Sequence, residues 1–178
     1  EFGKGQFRNL DHKHTFFDLL MALDNVGGIE RFRFLTISTP LISAKTLKFF
    51  SDSKRLSPHF SIGLQCGSNE MLKLNPRIYK REQYEQLFSM IKELMPHAYI
   101  SVDLIVGFPS ETNELFEETY NFLKKNHHIS HIKVKRYKEN KKDLGHKIKG
   151  GVVSADIRIR RRKILNELSE EKQTNFYR

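Results

Sequence analysis

Strand-like apolar runs alternate with amphipathic helical patterns along most of the chain, and this alternation constrains the fold more than any other feature. The predicted order is one helix followed by four strand–helix pairs. The clearest strand lies within residues 98–108, where the run Leu104-Ile105-Val106 is typical of a strand covered on both faces. Strands that alternate with helices pair in parallel through right-handed crossovers. The sequence therefore predicts an α/β fold: an open, parallel sheet of about four strands, with helices on the outside.

The bounds of these elements follow from periodicity and from capping residues. The predicted strands cover residues 31–37, 58–65, 98–107 and 129–136. The predicted helices cover residues 15–26, 43–50, 81–95 and 112–125, together with a terminal helix within residues 152–175. Thr15, Ser43 and Ser154 are the predicted N-caps of the first, second and terminal helices. A doubly wound fold usually opens on a strand, whereas this chain opens on a loop and a helix. We therefore expect the chain to begin part-way through a larger α/β unit.

The cysteine count and the lack of long apolar runs exclude several classes of protein. Cys66 is the only cysteine, which excludes an intrachain disulfide and any iron–sulfur cluster held by several cysteines of this chain. No run approaches the roughly 18 apolar residues of a membrane span. The first ten residues lack the apolar core of a signal peptide, so we expect a reduced, cytoplasmic setting. The histidines lack partners at zinc-site spacing, and no metal ligand is predicted.

Positive charge is concentrated in residues 124–163. This stretch holds 15 of the 31 Lys and Arg residues but only three of the 21 Asp and Glu residues. Clustered cations gain affinity for nucleic acid by releasing counterions, whereas the alternative is a solvated lysine-rich face. Arg160, Arg161 and Arg162 are the candidates for contacts with RNA. Because Tyr137 is the only aromatic residue in the stretch, phosphate contacts are favoured over base stacking.

Two loops at the predicted carboxyl ends of strands are the candidates for chemistry, since ligands of parallel α/β folds bind at that edge. Residues 65–68 give backbone room before a helix, which suits a carboxylate or phosphate. Residues 107–111 form a sharp turn that places Glu111 in the first turn of the next helix, as a cap or as a partner for a ligand amine. Both loops are also compatible with ordinary strand–helix turns, so these residues alone do not decide whether either loop binds a ligand.

Five stretches carry a resemblance to a known family. They are GIERFRF (28–34), PHFSIGLQCGS (58–68), LKLNPRIY (72–79), VDLIVGFPSET (102–112) and LSEEKQTNFY (168–177). In content and order they resemble the radical S-adenosylmethionine (SAM) domain of the methylthiotransferases that modify tRNA next to the anticodon. The family's motifs run like PHFHLPLQSGS, LKxMxRxY, DxIVGFPGET and LxxEKxxxFY. The motif sequences are most similar to those of the subgroup that acts on threonylcarbamoyladenosine (t6A).

This resemblance implies both a fold and an activity. The fold is a partial parallel (β/α) barrel of the radical SAM type. Residues 1–178 would be the C-terminal part of that barrel, holding strands three to six, and the terminal helix would lead toward an RNA-binding domain. The implied activity is that of a transferase that adds a methylthio group to t6A in tRNA. The implied cofactors are S-adenosyl-L-methionine and [4Fe-4S] clusters whose ligands lie outside this chain, so we expect the chain to be inactive alone.

The resemblance also implies which residues face the cofactor, while no catalytic side chain is assigned. Gln65 and Ser68 match polar positions near the adenosyl ligand. The residues that match the motif on the adenine and ribose side are Asp103, Gly107 and Glu111.

Arg77 and Tyr79 match the Arg and Tyr of LKxMxRxY, where they would pair a carboxylate or phosphate and close the loop. Several positions depart from the family's motifs. Cys66 replaces a Ser, Ser110 replaces a Gly, and RYKENKKD (136–143) replaces a pattern like SYSERPGT. Asn75-Pro76 breaks the pattern before Arg77. Because these departures cluster at the predicted active face, they motivate an alternative to the transferase, a decayed, non-catalytic RNA-binding module on the same scaffold.

Overall fold

A parallel sheet of three strands, in the order β1-β2-β3, forms the centre of the fold. The computed structural model describes residues 15–37, 39–74, 79–139 and 151–178. The strands are β1 (His59–Gln65), β2 (Tyr99–Val106) and β3 (His131–Arg136). The predicted class, an open parallel α/β sheet, is confirmed.

Helices precede, connect and follow the strands. They are α1 (Phe16–Asp24), α2 (Ala44–Asp52), α3 (Asn69–Leu74), α4 (Arg81–Leu94), α5 (Asn113–Lys125) and α6 (Ala155–Phe176), with a 3₁₀ turn at Thr39–Leu41. The N-caps predicted at Thr15, Ser43 and Ser154 are confirmed, because each side-chain oxygen accepts a backbone N–H of the first turn. The short helix α3 was not predicted. Within the described ranges, no helix combines the length and apolarity that a membrane crossing requires.

The first predicted strand is the main correction to the fold. Residues 31–37 form only two isolated parallel bridges, Phe32 with Leu56 and Ile37 with Ile62. From the first bridge to the second, the chain advances five positions in residues 32–37 but six positions in the partner residues 56–62. The register of the pairing therefore shifts by one residue. A one-residue slip turns the side chains to opposite faces and prevents a continuous ladder. The described part of the sheet therefore has three strands where four were predicted.

The two faces of the sheet have different surroundings. Along β2, Ile100, Val102, Leu104 and Val106 are buried in one large core with the apolar faces of the helices. The alternate residues point to the other face, where Ile105 is only half-buried. The expectation that this strand is covered on both faces is met only in part on the second face, where Ser101 is buried and Ile105 packs against a smaller apolar cluster. We call this second face of the three strands the open face.

Candidate functional site

The loop that follows β1 is held tightly against α5. Gln65, the last residue of β1, has a φ of 73°, in the left-handed region that side chains rarely adopt. The Gly67 N–H donates a hydrogen bond of 3.1 Å to Thr119 Oγ1. A Cβ on Gly67 would lie 2.9 Å from the Phe122 ring and 3.0 Å from the Thr119 backbone, which leaves room for glycine only. The chain therefore turns sharply at the end of β1 and stays close to α5.

Two side chains of this loop are buried in a small apolar cluster. Cys66 packs there with Phe108 and Tyr137, and the Ser68 hydroxyl is fully buried with no hydrogen-bond partner among the described residues. Burial raises the pKa of the Cys66 thiol to about 12, and a hydrogen bond from the Ser68 backbone opposes part of that rise. A thiol in this state is a packing group, since only the thiolate is nucleophilic.

The loop that follows β2 is a strained turn closed by a carboxylate. Gly107 and Ser110 have φ values of 73° and 71°. The Gly107 N–H donates to Glu111 Oε2 at 2.6 Å, and the Glu111 N–H donates to the Phe108 carbonyl at 3.0 Å. Ser110 stands where the family's motif has Gly, the residue that adopts this backbone conformation without cost. Glu111 precedes Thr112, the N-cap of α5, so its predicted place in the first helical turn is wrong.

A buried ion pair joins this turn to α6. Arg161 Nη1 lies 2.6 Å from Glu111 Oε2, and both side chains are at most 5% exposed. The same guanidinium donates to the Glu111 carbonyl at 3.0 Å and to Asn113 Oδ1 at 2.9 Å. Burial raises the pKa of Glu111, and the Gly107 amide and Arg161 oppose that rise because both donate to the charged carboxylate. This burial contradicts the expectation that Arg161 lies on an exposed RNA-binding face, which we therefore correct.

A second arginine of α6 links the loops that follow β2 and β3. Arg158 Nε donates to the Val153 carbonyl at 2.7 Å, and its Nη1 donates to the Tyr137 carbonyl at 2.9 Å. Its alkyl chain fills the space that a Cβ on Gly107 would occupy. Sequence reasoning missed this residue. The spacing of buried α6 residues at 161, 165, 168 and 172 is the signal that identifies its inward face in the structure.

The open face presents polar groups from the end of β1 and from the middle of β2. Gln65 and Asp103 are both half-buried there. The Gln65 amide lies over Gly63, since a Cβ on that glycine would be 3.4 Å from Gln65 Nε2. Asp103 is paired in register with Lys133 of β3. These side chains remain accessible to a ligand placed against the open face.

The exposed cations of α6 lie beside the edge strand β3. Arg160 and Arg162 are exposed. Arg162, Lys163 and Arg136 line a shallow groove of about 590 Å³, whose wall also carries Glu167 and Glu170. This surface, which we call the basic groove, contains Arg162 of the predicted RNA-binding set, whereas Arg160 is exposed but does not line it.

The remaining predicted residues have these positions. Tyr79 is half-buried against the main core, with its ring 6.1 Å from that of Tyr84. Arg77 and Asn75-Pro76 lie outside the described residues. In the ranges the structure covers, no group of three or more His, Cys, Asp or Glu residues is placed to hold a metal ion.

Residues 8–123 match the family model of the Radical SAM superfamily. The chain belongs to this superfamily. The matched range contains β1, β2 and the loops that follow them, which are the segments predicted to face S-adenosylmethionine.

Curated relatives of this radical SAM chain are tRNA methylthiotransferases. It is 35% identical over 167 residues to the threonylcarbamoyladenosine tRNA methylthiotransferase MtaB of Aquifex aeolicus, covering 94% of this chain and 40% of that protein. It is 44% identical over 115 residues to the tRNA-2-methylthio-N(6)-dimethylallyladenosine synthase of Protochlamydia amoebophila, covering 65% of this chain and 26% of that protein. The chain thus spans less than half of either relative. The predicted family is confirmed.

A solved structure gives the same fold. Coproporphyrinogen III oxidase (HemN) from Escherichia coli, a radical SAM enzyme, matches 77% of this chain and 31% of its own with a TM-score of 0.63. The two sequences are 18% identical, so the likeness concerns the fold alone. It agrees with an open partial barrel.

The described residues fit the superfamily's cofactor unevenly. S-adenosylmethionine carries a nucleoside and an amino acid, which need hydrogen-bonding groups on an accessible surface. Gln65 and Asp103 offer such groups on the open face. Ser68 and Glu111 are buried, and Glu111 already binds the Gly107 amide and Arg161. The first pair suits direct contact with a ligand, whereas Ser68, Gly107 and Glu111 shape the loops around it.

Proposed function

We propose that this chain forms part of a radical SAM tRNA methylthiotransferase that adds a methylthio group to t6A. One observation carries the choice of nucleoside. The alignment with the t6A enzyme MtaB covers 94% of the chain, whereas those with the dimethylallyladenosine synthases of Protochlamydia amoebophila and Desulforamulus reducens cover 65% and 66%. The similarity to MtaB therefore extends beyond residues 8–123, the range that the superfamily model matches.

S-adenosyl-L-methionine, when bound with its [4Fe-4S] cluster, supplies the radical chemistry of the reaction. We assign this chain's residues to positioning. The Gln65 amide and the Asp103 carboxylate hydrogen-bond the cofactor on the open face, and the half-buried Ile105 packs against its apolar parts. Ser68, Gly107 and Glu111 keep the two loops closed around it. Because the chain has one cysteine and that thiol is buried, the cluster's ligands come from outside these 178 residues.

The tRNA approaches the basic groove in this proposal. Its cations, Arg136, Arg162 and Lys163, contact phosphates, which gives affinity without sequence preference. The cytoplasmic setting predicted from the sequence agrees with a tRNA substrate and stays a prediction.

A chimaera tests the function directly. The aligned segment of Aquifex aeolicus MtaB is replaced by this chain, and modified nucleosides are measured by mass spectrometry after digestion of tRNA. We expect methylthiolated t6A from the chimaera. Gln65→Ala should lower the yield roughly tenfold, by the loss of a buried hydrogen bond of about 1–1.5 kcal/mol. Gln86→Ala, which changes an exposed amide of α4, is the matched control and should leave the yield unchanged.

The outcomes separate the candidate functions. Methylthiolated dimethylallyladenosine without methylthiolated t6A would overturn the assigned nucleoside and keep the family. A folded chimaera with a full cluster but no product from either nucleoside would overturn the enzyme and favour the decayed RNA-binding module.

A further inference from the structure

A second cavity lies at the other end of the open face, where the strands begin. It has a volume of about 520 Å³ and is lined by the first residues of all three strands, His59, Tyr99 and His131, by Arg33 and Lys133, and by Tyr177 at the end of α6. The candidate cofactor loops follow the carboxyl ends of the same strands. The cavity is therefore distinct from those loops, although Asp103, the register partner of Lys133, lies between the two sites. None of the lining residues has a role in the proposed function.

The described lining of the cavity carries positive charge and no carboxylate, and Asp103, the register partner of Lys133, lies beside it. Arg33 Nη2 lies 2.8 Å from His59 Nε2, and because a guanidinium only donates, this imidazole nitrogen is the acceptor. Lys133 Nζ donates to Ser61 Oγ at 3.3 Å. Neither cation forms a salt bridge with a described residue, and no Asp or Glu lines the cavity. Cations of this kind are suited to bind an anion from solution.

The histidines respond to that charge. The pKa of His59 is lowered to about 4, first by burial and then by Arg33, Lys133 and His131. Burial and Lys133 also lower the pKa of His131, against a small opposing effect of Asp103. Both rings are therefore neutral at pH 7, and an anion in the cavity would raise both pKa values.

An exposed aromatic ring lies at the rim of the cavity. Tyr177 is 75% exposed. Its ring is held by Phe176, at 5.3 Å between centroids, and by Tyr99, at 6.4 Å, while His59 stacks on Tyr99 at 4.8 Å. A fixed ring with a free face beside cations is a platform on which a nucleobase stacks. The PHF and FY ends of two motifs named above thus meet at one place.

We propose that this cavity binds a nucleotide, with Arg33 and Lys133 on its phosphate and the free face of Tyr177 stacked on its base. The proposal does not depend on the methylthiotransferase assignment, because it uses neither of the loops at the carboxyl end of the sheet.

Titration of the 178-residue chain with adenosine 5′-monophosphate tests the site, with calorimetry for affinity and NMR for the histidine rings. Lys133→Gln should weaken binding about tenfold, since charge-assisted contacts to phosphate are worth about 1.5 kcal/mol. Lys135→Gln is the matched control, because it removes the same charge from an exposed residue two positions along the same strand. It should change affinity less than about twofold. Tyr177→Phe should retain binding, and Tyr177→Leu should weaken it about fivefold or more.

The ligand series identifies which part of the nucleotide is recognised. Inorganic phosphate should bind more weakly than the nucleotide, and adenosine without phosphate more weakly still. The dinucleotide ApA, which has a singly charged diester, distinguishes an RNA strand from a free nucleotide. Affinity for ApA equal to that for the monophosphate would indicate an RNA strand, and weaker affinity would indicate a free nucleotide. A bound phosphodiester should raise the pKa of His59, so binding of ApA, whose own phosphate does not titrate near neutral pH, should tighten as the pH falls toward 5.

Three results would overturn the site. One is the absence of any shift of the His59 and His131 resonances at millimolar nucleotide. Another is equal weakening by Lys133→Gln and Lys135→Gln, which would indicate charge alone. The third is equal affinity for phosphate and nucleotide, which would mean that the base makes no contact with Tyr177. Unchanged thermal unfolding of each variant ensures that a loss of binding is a loss of contact.

Discussion

At the scale of single residues, Glu111 shows that the role of a residue in a family motif depends on its surroundings in the fold. Its carboxylate closes the Gly107 turn and pairs with Arg161 in a site from which water is excluded. The sequence alone offered a cap or a ligand partner for this residue, and the structure gives it two protein partners instead. Such a carboxylate fixes the loop that a ligand meets.

We predict that Arg161→Met lowers the free energy of unfolding by about 3–5 kcal/mol, because it leaves a buried carboxylate without its cation. The double variant Glu111→Leu/Arg161→Met should be less destabilised than Arg161→Met alone, since no buried charge remains. Urea denaturation followed by circular dichroism measures both. Arg160→Met is the exposed control and should stay within about 0.5 kcal/mol of the native chain. A double variant at least as unstable as the sum of its single variants would contradict this reading.

Cys66 should be unreactive in the folded chain. With its pKa at about 12, thiolate at pH 8 is rare, whereas an unfolded cysteine has a pKa near 8.5. Reaction with Ellman's reagent should therefore be on the order of a thousandfold slower in buffer than in denaturing urea. Equal rates in the two solutions would mean that the loop after β1 opens readily.

At the scale of elements, the sequence predicted the type of most helices and strands but not the inward face of α6. Apolar spacing predicted Ile157, Ile164, Leu165 and Leu168 as the inward residues, and only the two leucines are fully buried.

Cations occupy the rest of that face. Arg158, Arg161 and Lys172 all turn inward, and Lys172 donates to the Asn126 carbonyl at 2.8 Å. Each binds a carbonyl or a carboxylate of a loop at the end of the sheet. Hydrophobic periodicity cannot predict such a face, because its partners lie on loops that are distant in sequence.

The turn after β2 should tolerate no side chain at Gly107. Gly107→Ala combines a left-handed backbone, which costs about 1–2 kcal/mol, with an overlap with the Arg158 side chain. Gly28→Ala is a matched control, since its φ is 76° but no atom lies within 4 Å of the added Cβ. Thermal unfolding should rank Gly107→Ala as clearly less stable than Gly28→Ala. Gly27→Ala, in open space and without a positive φ, should be neutral or slightly stabilising. Equal effects at positions 107 and 28 would mean that Arg158 moves aside without cost.

At the scale of the whole molecule, alternation of elements and the order of motifs were enough to predict the fold class and the superfamily. The missing strand over residues 31–37 was not predictable, because the one-residue slip in its pairing depends on the partner segment. The predicted RNA-binding set failed at Arg161 for a similar reason, since its burial depends on Glu111, fifty residues earlier in the chain. What periodicity identifies is the presence of an element, whereas its register and partners are settled by tertiary contacts.

The basic groove leads to a prediction for tRNA. Arg136→Ala/Arg162→Ala should weaken binding equally for all tRNA sequences, because the contacts are to phosphates. The native plot of log affinity against log salt should have a slope of roughly −2 to −4, and the double variant should flatten it by about 1–2. The control Arg31→Ala/Lys54→Ala removes two exposed cations of residues that precede β1 and should leave the slope unchanged. An unchanged slope in the first variant would make the groove a solvated face.

The length of α6 gives the fold one rigid member that touches both ends of the sheet. Its first turns hold the loops after β2 and β3 through Arg158 and Arg161, and near its far end Gln173 donates to the Tyr99 hydroxyl at 3.0 Å. At 22 residues it is about 33 Å long. A tilt of this helix would displace the contacts at both ends of the sheet at the same time. We therefore expect a ligand that shifts α6 at one end to change the affinity for a ligand at the other end, and thermodynamic reciprocity would make the two changes equal.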